Sequence, residues 1–344
     1  PHLIRRAGHI RAFTILSSLV ASAILAHSLW VDFLPWTVFR LVFGASLAGL
    51  YMIIESWVND RASNTNRGLI MSAYIMVNYG ALALGQFMVT LASPLGFALF
   101  AVAAMTMSIS AIPLALTRQT PPAPVAIVRF RPLTLYRSSP VGFIGACASG
   151  LANGAFWSLG AVAAVGVGLS IRDAAAFMAV VTAAGAIAQW PAGRISDRID
   201  RRLVLTTVLA GAAIFGLVFA FLPLHGVAWF VVAALYGAMI APTYSLSAAH
   251  AYDHAPPGTM VETAAGLFIA SASGSIIGPL VASTMMQHLG SPKLFLFTAI
   301  VHVILAVYVV TRIRKRQAPA PALKTGFDRS ASTVGGGIPP ETPP

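Results

Sequence analysis

Charged side chains are scarce in this sequence: Asp, Glu, Lys and Arg make up only 9% of its 344 residues, where a soluble domain carries about 25%. That scarcity excludes an ordinary water-soluble domain. The ten acids include no paired intramembrane aspartates, and there is no H-E-x-x-H and no Ser–His arrangement. An embedded enzyme would need such a cluster at one depth, so none is expected, and no cofactor is implied. One cysteine, Cys147, sits in an apolar run, which excludes an intrachain disulfide and suits a free core thiol.

Apolar residues are abundant, at 57%, with a mean hydropathy of +0.80. Stretches of about 20 residues pass with hardly a charge, enough to cross about 30 Å of hydrocarbon as helix. The expected fold is therefore all-α and polytopic, with ten transmembrane helices over 12–30, 35–58, 68–91, 95–117, 139–168, 173–193, 203–223, 227–251, 261–288 and 293–312. Breakers punctuate them, such as "SPLG" (93–96) and "LGSP" (289–292). Trp30, Trp36, Trp57, Trp190 and Trp229 fall near span ends, where amphipathic rings favour the interface.

A formal charge of +12 invites a nucleic-acid reading, but the distribution of Lys and Arg answers it. When the connections are assigned alternately to two sides, 19 of the 22 cations fall on one side, only Arg172 and Lys293 on the other, and Arg40 within a span. The positive-inside rule then puts both ends of the chain in the cytoplasm. The partners are the lipid bilayer and a small molecule, not a nucleic acid. Residues 118–138, Pro-rich and basic, read as a cytoplasmic linker between a first half (1–117) and a second (139–316). Residues 317–344 read as a disordered tail.

The halves echo each other at an offset of 192–193. Gly44 matches Gly237, Asp60 matches Asp253, Gly85 matches Gly278, and "PHLIRRAGHI" (1–10) falls on "GRISDRIDRR" (193–202). Parallel repeats with a site at their interface are a transporter architecture. The second half has two spans before its charged loop and the first has none, so about two helices, on the order of 55 residues, are expected upstream of Pro1.

"GRISDRIDRR" resembles the signature loop of the major facilitator superfamily, roughly G-x-x-x-D-R-x-G-R-R. It fits at Gly193, Asp197, Arg198, Arg201 and Arg202, with Asp200 in place of the second glycine. "PHLIRRAGHI" keeps Arg6 and Gly8 but has Pro1 for glycine and Arg5 for the aspartate. Arg40 and Gly44 resemble a second motif, in the family's helix 4. "IIESWVNDR" (53–61), "NYGALALGQ" (78–86) and "GSIIGP" (274–279) look most like the bacterial YcaD-type subgroup. The resemblance implies two six-helix pseudo-repeats, with the ten spans as family helices 3 to 12. It also makes the charged loops a gate: Arg198 or Arg201 would pair with Asp253, and Arg6 or Arg11 with Asp60, while Asp197 could cap a neighbouring helix start.

Arg40 lies about five residues inside its span, where a cation faces a bundle interior or snorkels to the headgroups. Glu55 is fifteen residues on, about 22 Å along a helix, so the two cannot pair. Arg40 is a candidate for coupling or for an anionic substrate group; Glu55 is a candidate proton site or a structural ion pair. Asn78, Asn153, Trp157, Tyr236 and Tyr244 are cavity candidates, because the resemblance makes family helices 7 and 10 line the cavity. His250, Asp253 and His254 stand at i, i+3, i+4 like a metal face, but without a fourth ligand they are assigned to the gate. Glu262 reads as a first-turn acid. The expected function is secondary transport of a small organic solute by alternating access, with proton coupling open and an anionic or an amphiphilic drug-like substrate. A non-transporting sensor or scaffold that retained the fold is the other reading.

Overall fold

A computed structural model describes residues 6–61, 67–89, 92–93, 96–117, 132–256 and 259–315. The described residues form helices and no strands. In chain order they are α1 (His9–Leu29), α2 (Phe33–Arg61), α3 (Arg67–Met88), α4 (Phe97–Ala115), α5 (Pro132–Ser138), α6 (Pro140–Gly166), α7 (Ile171–Arg198), α8 (Arg201–Phe221), α9 (Val227–Ile240), α10 (Pro242–Tyr252), α11 (Met260–Leu289) and α12 (Lys293–Lys315). Among the described residues, nine helical stretches are long and apolar enough to cross a membrane. The remaining expected span, 68–91, coincides with α3.

The chain divides into two compact units, one of residues 1–74 and 88–127, the other of residues 75–87 and 128–344. The expected division at 117 therefore leaves out one finding: the middle of α3 groups with the second unit. In the first unit α1 packs on α2 and α4 around Ala12, Phe13, Val20, Leu50, Ile53 and Ala111. Gly8 opens α1 at φ +78°, a left-handed backbone that glycine adopts without steric cost. At the far end, the Trp36 indole donates to the His27 carbonyl at 2.9 Å and fixes the α1–α2 turn.

The second unit is built around α6. Its Gly150 and Gly154 face Ser271 and Ser275 of α11, and Gly274 and Gly278 of α11 face the α6 backbone between Cys147 and Leu151. No side chain separates the two helices there, so they touch backbone to backbone, as small residues permit in membranes. On another side Phe156, Phe177, Phe219, Trp229, Tyr236 and Phe295 form one aromatic core. Trp229 corrects an expectation: it is only 4% exposed, its ring 4.7 Å from that of Phe219, whereas Trp30 and Trp190 are about half exposed as interfacial rings should be.

Two further departures concern proline. The last seven residues of the expected linker form α5, with Pro132 supplying a helical φ at its first position; residues 118–131 lie outside the described ones. The expected span 227–251 is one crossing, Val227–Tyr252, broken within it into α9 and α10, because Pro242 has no N–H to donate and its ring crowds the preceding turn. The Gln189 side chain of α7 donates to the Ala241 carbonyl at 3.1 Å and braces this break.

Candidate functional site

The turn between α7 and α8 gathers the second unit's polar groups. α8 needs an acceptor for its first N–H groups, and Asp200 supplies it, taking the Arg202 backbone N–H at 2.9 Å. The same carboxylate receives the Arg202 guanidinium through Nε and Nη2, at 2.7–3.1 Å. Partial burial raises the Asp200 pKa, but hydrogen bonds and charge from Arg202 outweigh it and hold the carboxyl below its ordinary 3.8. Asp197 lies in the last turn of α7 and pairs with Arg201 Nη1 at 3.1 Å. The residue that caps α8 is Asp200, which immediately precedes it.

Arg201 is the centre of the arrangement. Its side chain is 1% exposed and gives Nε to Asp253 Oδ2 at 2.8 Å; Asp253 follows α10 and is itself 2% exposed. Arg201 Nη1 also donates to the Ser196 hydroxyl at 3.1 Å. One guanidinium thus joins the end of α7, the start of α8 and the end of α10. Two carboxylates and a hydroxyl compensate its burial, which an isolated charge could not sustain. Gly193 is buried on α7 and Arg198 closes that helix. No metal-ligand group of three or more His, Cys, Asp or Glu occurs among the described residues. His254 instead donates Nδ1 to the His250 carbonyl at 2.9 Å.

In the first unit Arg6 is exposed next to Gly8. Asp60 lies on the last turn of α2, and its side chain, and with it the expected pairing, is outside the described residues. Arg40 is exposed, its guanidinium 5.9 Å from the ring centres of both Trp36 and Phe43. Glu55 is half-buried and accepts from the Tyr74 hydroxyl at 3.5 Å. In the second unit Asn78 is half-buried, Trp157 is 47% exposed, and the Asn153 side-chain carbonyl oxygen is buried without a hydrogen-bond partner among the described residues. Tyr244 packs on the cluster around Leu135 and Leu267. Tyr236 departs from the cavity expectation: with no exposure, it packs in the aromatic core and donates to Thr298 Oγ1 at 3.0 Å. A side chain in mid-core of α9 has its hydroxyl satisfied by α12, not by a solute.

The sequence pattern carries no signal for the partner role of Ser196, nor for His302, which is 1% exposed in α12 with neither ring nitrogen bonded. A lone polar residue in an apolar run has no partner visible at helical spacing.

Comparison with known proteins places this geometry. The model of the Major Facilitator Superfamily matches residues 2–273, and matches again over 143–338. The chain belongs to the major facilitator superfamily. An uncharacterised MFS-type transporter of Enterobacter sp. strain 638 is 28% identical over 324 residues, 93% of this chain and 82% of that protein. The uncharacterised MFS-type transporter YcaD of Escherichia fergusonii is 26% identical over 323 residues, 92% and 83% of the two chains. Among solved structures, a bacterial homologue of the human lysosomal transporter Spinster, inward-facing and unoccupied, shares the fold with a TM-score of 0.69 at 17% identity, over 93% of this chain and 86% of that one. The fucose:proton symporter of E. coli shares it with a TM-score of 0.53 at 16% identity, over 90% and 85%. This superfamily member is thus a multi-pass membrane protein of the bacterial transporter type.

Proposed function

We propose that the chain is a secondary active transporter that carries a small organic solute across the bacterial inner membrane by alternating access, and that it is not an enzyme. The observation that carries the reading is Arg201, a buried cation shared between a buried acid, Asp253, and a 41%-exposed one, Asp197. A guanidinium with two alternative carboxylates can release one while keeping the other, which lets a gate part without stranding a charge in hydrocarbon. Gly193, Asp197, Arg198, Arg201, Arg202 and Asp253 form this gate, with Arg6, Gly8 and Asp60 as its counterpart in the first unit.

Arg40 meets an anionic group of the solute, and in the second unit Asn78, Asn153, Trp157 and Tyr244 are the groups offered to it. Glu55, beside the Tyr74 hydroxyl, is the proton site. Counterflow in proteoliposomes tests the reading, with radiolabelled organic anions and amphiphilic cations as candidate solutes. Saturable exchange is expected for one class, lost in Arg40→Gln and kept in Glu55→Gln, which loses only accumulation driven by a proton gradient. A folded protein with no flux for either class would leave the sensor reading in its place.

A further inference from the structure

At the ends of α7 and α8 opposite the Arg201 gate lies a cavity that the gate does not use. It measures about 270 Å³ and is lined by Leu169, Asp173, Leu224, His225, Trp229 and Phe230, where the loop from α6 to α7 meets the turn from α8 to α9. That is room for several water molecules. Leu169, Leu224 and Phe230 make its apolar wall, and the other three bring polar groups with bonding capacity unspent.

Asp173 is exposed in the first turn of α7. Its Oδ2 accepts from the Ser170 hydroxyl at 2.7 Å, which completes the helix start, while Oδ1 has no partner among the described residues. Nor is any cation paired with this carboxylate there. Arg172, beside it in sequence, does not share its face of the helix. Trp229 supplies an independent observation. It is 4% exposed, and its indole N–H is buried with no acceptor among the described residues. The rings packed on it, Phe177, Phe219 and Phe295, offer none. The cavity it lines has room for one. An unmet buried donor is costly, so an acceptor brought there is rewarded. Gly226, which precedes α9 at the same place, has no side chain to cap that helix. His225 is exposed on the lining and adds an imidazole.

We propose that this cavity binds a primary ammonium group with a neighbouring oxygen acceptor, as in an aminoethanol unit. The ammonium donates to the unpaired Asp173 oxygen, and the oxygen accepts from Trp229 and His225. An anion would meet the Asp173 charge, an alcohol would leave that charge without a counterpart, and a quaternary ammonium has no N–H to donate. The cavity opens at the helix ends, which is headgroup depth, so the unit belongs either to phosphatidylethanolamine or to a free amine. The site lies within the second unit and does not depend on the transport reading.

The test uses the full chain purified in detergent. Native mass spectrometry compares retention of phosphatidylethanolamine with that of phosphatidylcholine, its quaternary counterpart. A thermal-shift assay compares protection by ethanolamine with that by choline at constant ionic strength. Asp173→Asn keeps an acceptor for the Ser170 hydroxyl and removes the charge. It is expected to weaken phosphatidylethanolamine retention about tenfold and to leave phosphatidylcholine unchanged. Trp229→Phe keeps a ring and removes the N–H, with an expected loss of about fivefold. Protection by ethanolamine that disappears in Asp173→Asn, with lipid retention unaltered, would assign the site to the free amine. Lipid retention and ethanolamine protection that are both the same in wild type and Asp173→Asn would overturn the proposal.

Discussion

Arg201 serves two carboxylates of different exposure, and the two should not be equal in worth. Asp253→Asn takes from a 1%-exposed guanidinium the buried one of these two carboxylates, and removal of one partner of a buried pair costs about 3–5 kcal/mol. Asp197→Asn breaks a pair that water already screens and costs at most about 1 kcal/mol. Thermal unfolding in detergent should rank the two variants in that order. Asp200 makes a prediction in pH. Its carboxyl titrates lower in the folded chain than its ordinary 3.8, so its stabilisation is complete above 3.8 and fades as pH falls towards the folded value. Asp200→Ala should therefore lose at least the cap's contribution of about 1 kcal/mol at pH 7, with the loss of the carboxylate on the buried Arg202 added to it, and its unfolding midpoint should approach that of wild type as pH falls below 3.8. At this scale the sequence revealed which residues carry charge but not which partners they hold. The repeat offset pointed to Asp253; the role of Asp200 as cap of α8 depends on where α7 stops, and residue types alone do not locate that end.

Helices were legible because apolar runs of about 20 residues admit little else in a bilayer. Their ends and breaks were less so. Pro242 was visible in the sequence, yet a proline can kink a helix or divide it, and which of the two occurs depends on neighbours such as Gln189. Contact between α6 and α11 also lay beyond the pattern, since glycines are frequent along the whole chain. The repeat paired Gly85 with Gly278, but the structure distinguishes them: a methyl at Gly278 would run into the backbone of Leu151, whereas at Gly85 nothing among the described residues lies within 4 Å. Gly278→Ala should thus cost about 1–3 kcal/mol through overpacking, and Gly85→Ala should be close to neutral. Thermal melts of the two variants make the comparison.

Across the whole molecule, charge asymmetry was the most readable signal, because each additional span tests the alternation again. It predicts that Arg198 and Arg314 share a side of the membrane and that Lys293 faces the other. With Cys147 replaced by Ser, single cysteines at these three positions should react with an impermeant maleimide accordingly: Arg198→Cys and Arg314→Cys from one side, Lys293→Cys from the opposite one. The solute path was legible only as a set of polar positions, since a polar group in mid-span can equally bond a neighbouring helix, as Tyr236 does. The break at Pro242 lies between that anchored tyrosine and the acid that meets Arg201. The 11 residues of α10 then form a lever about 16 Å long, with the proline as its fulcrum. A swing of about ten degrees there would carry Asp253 about 3 Å, more than the ion pair can stretch, while the aromatic core stays at rest.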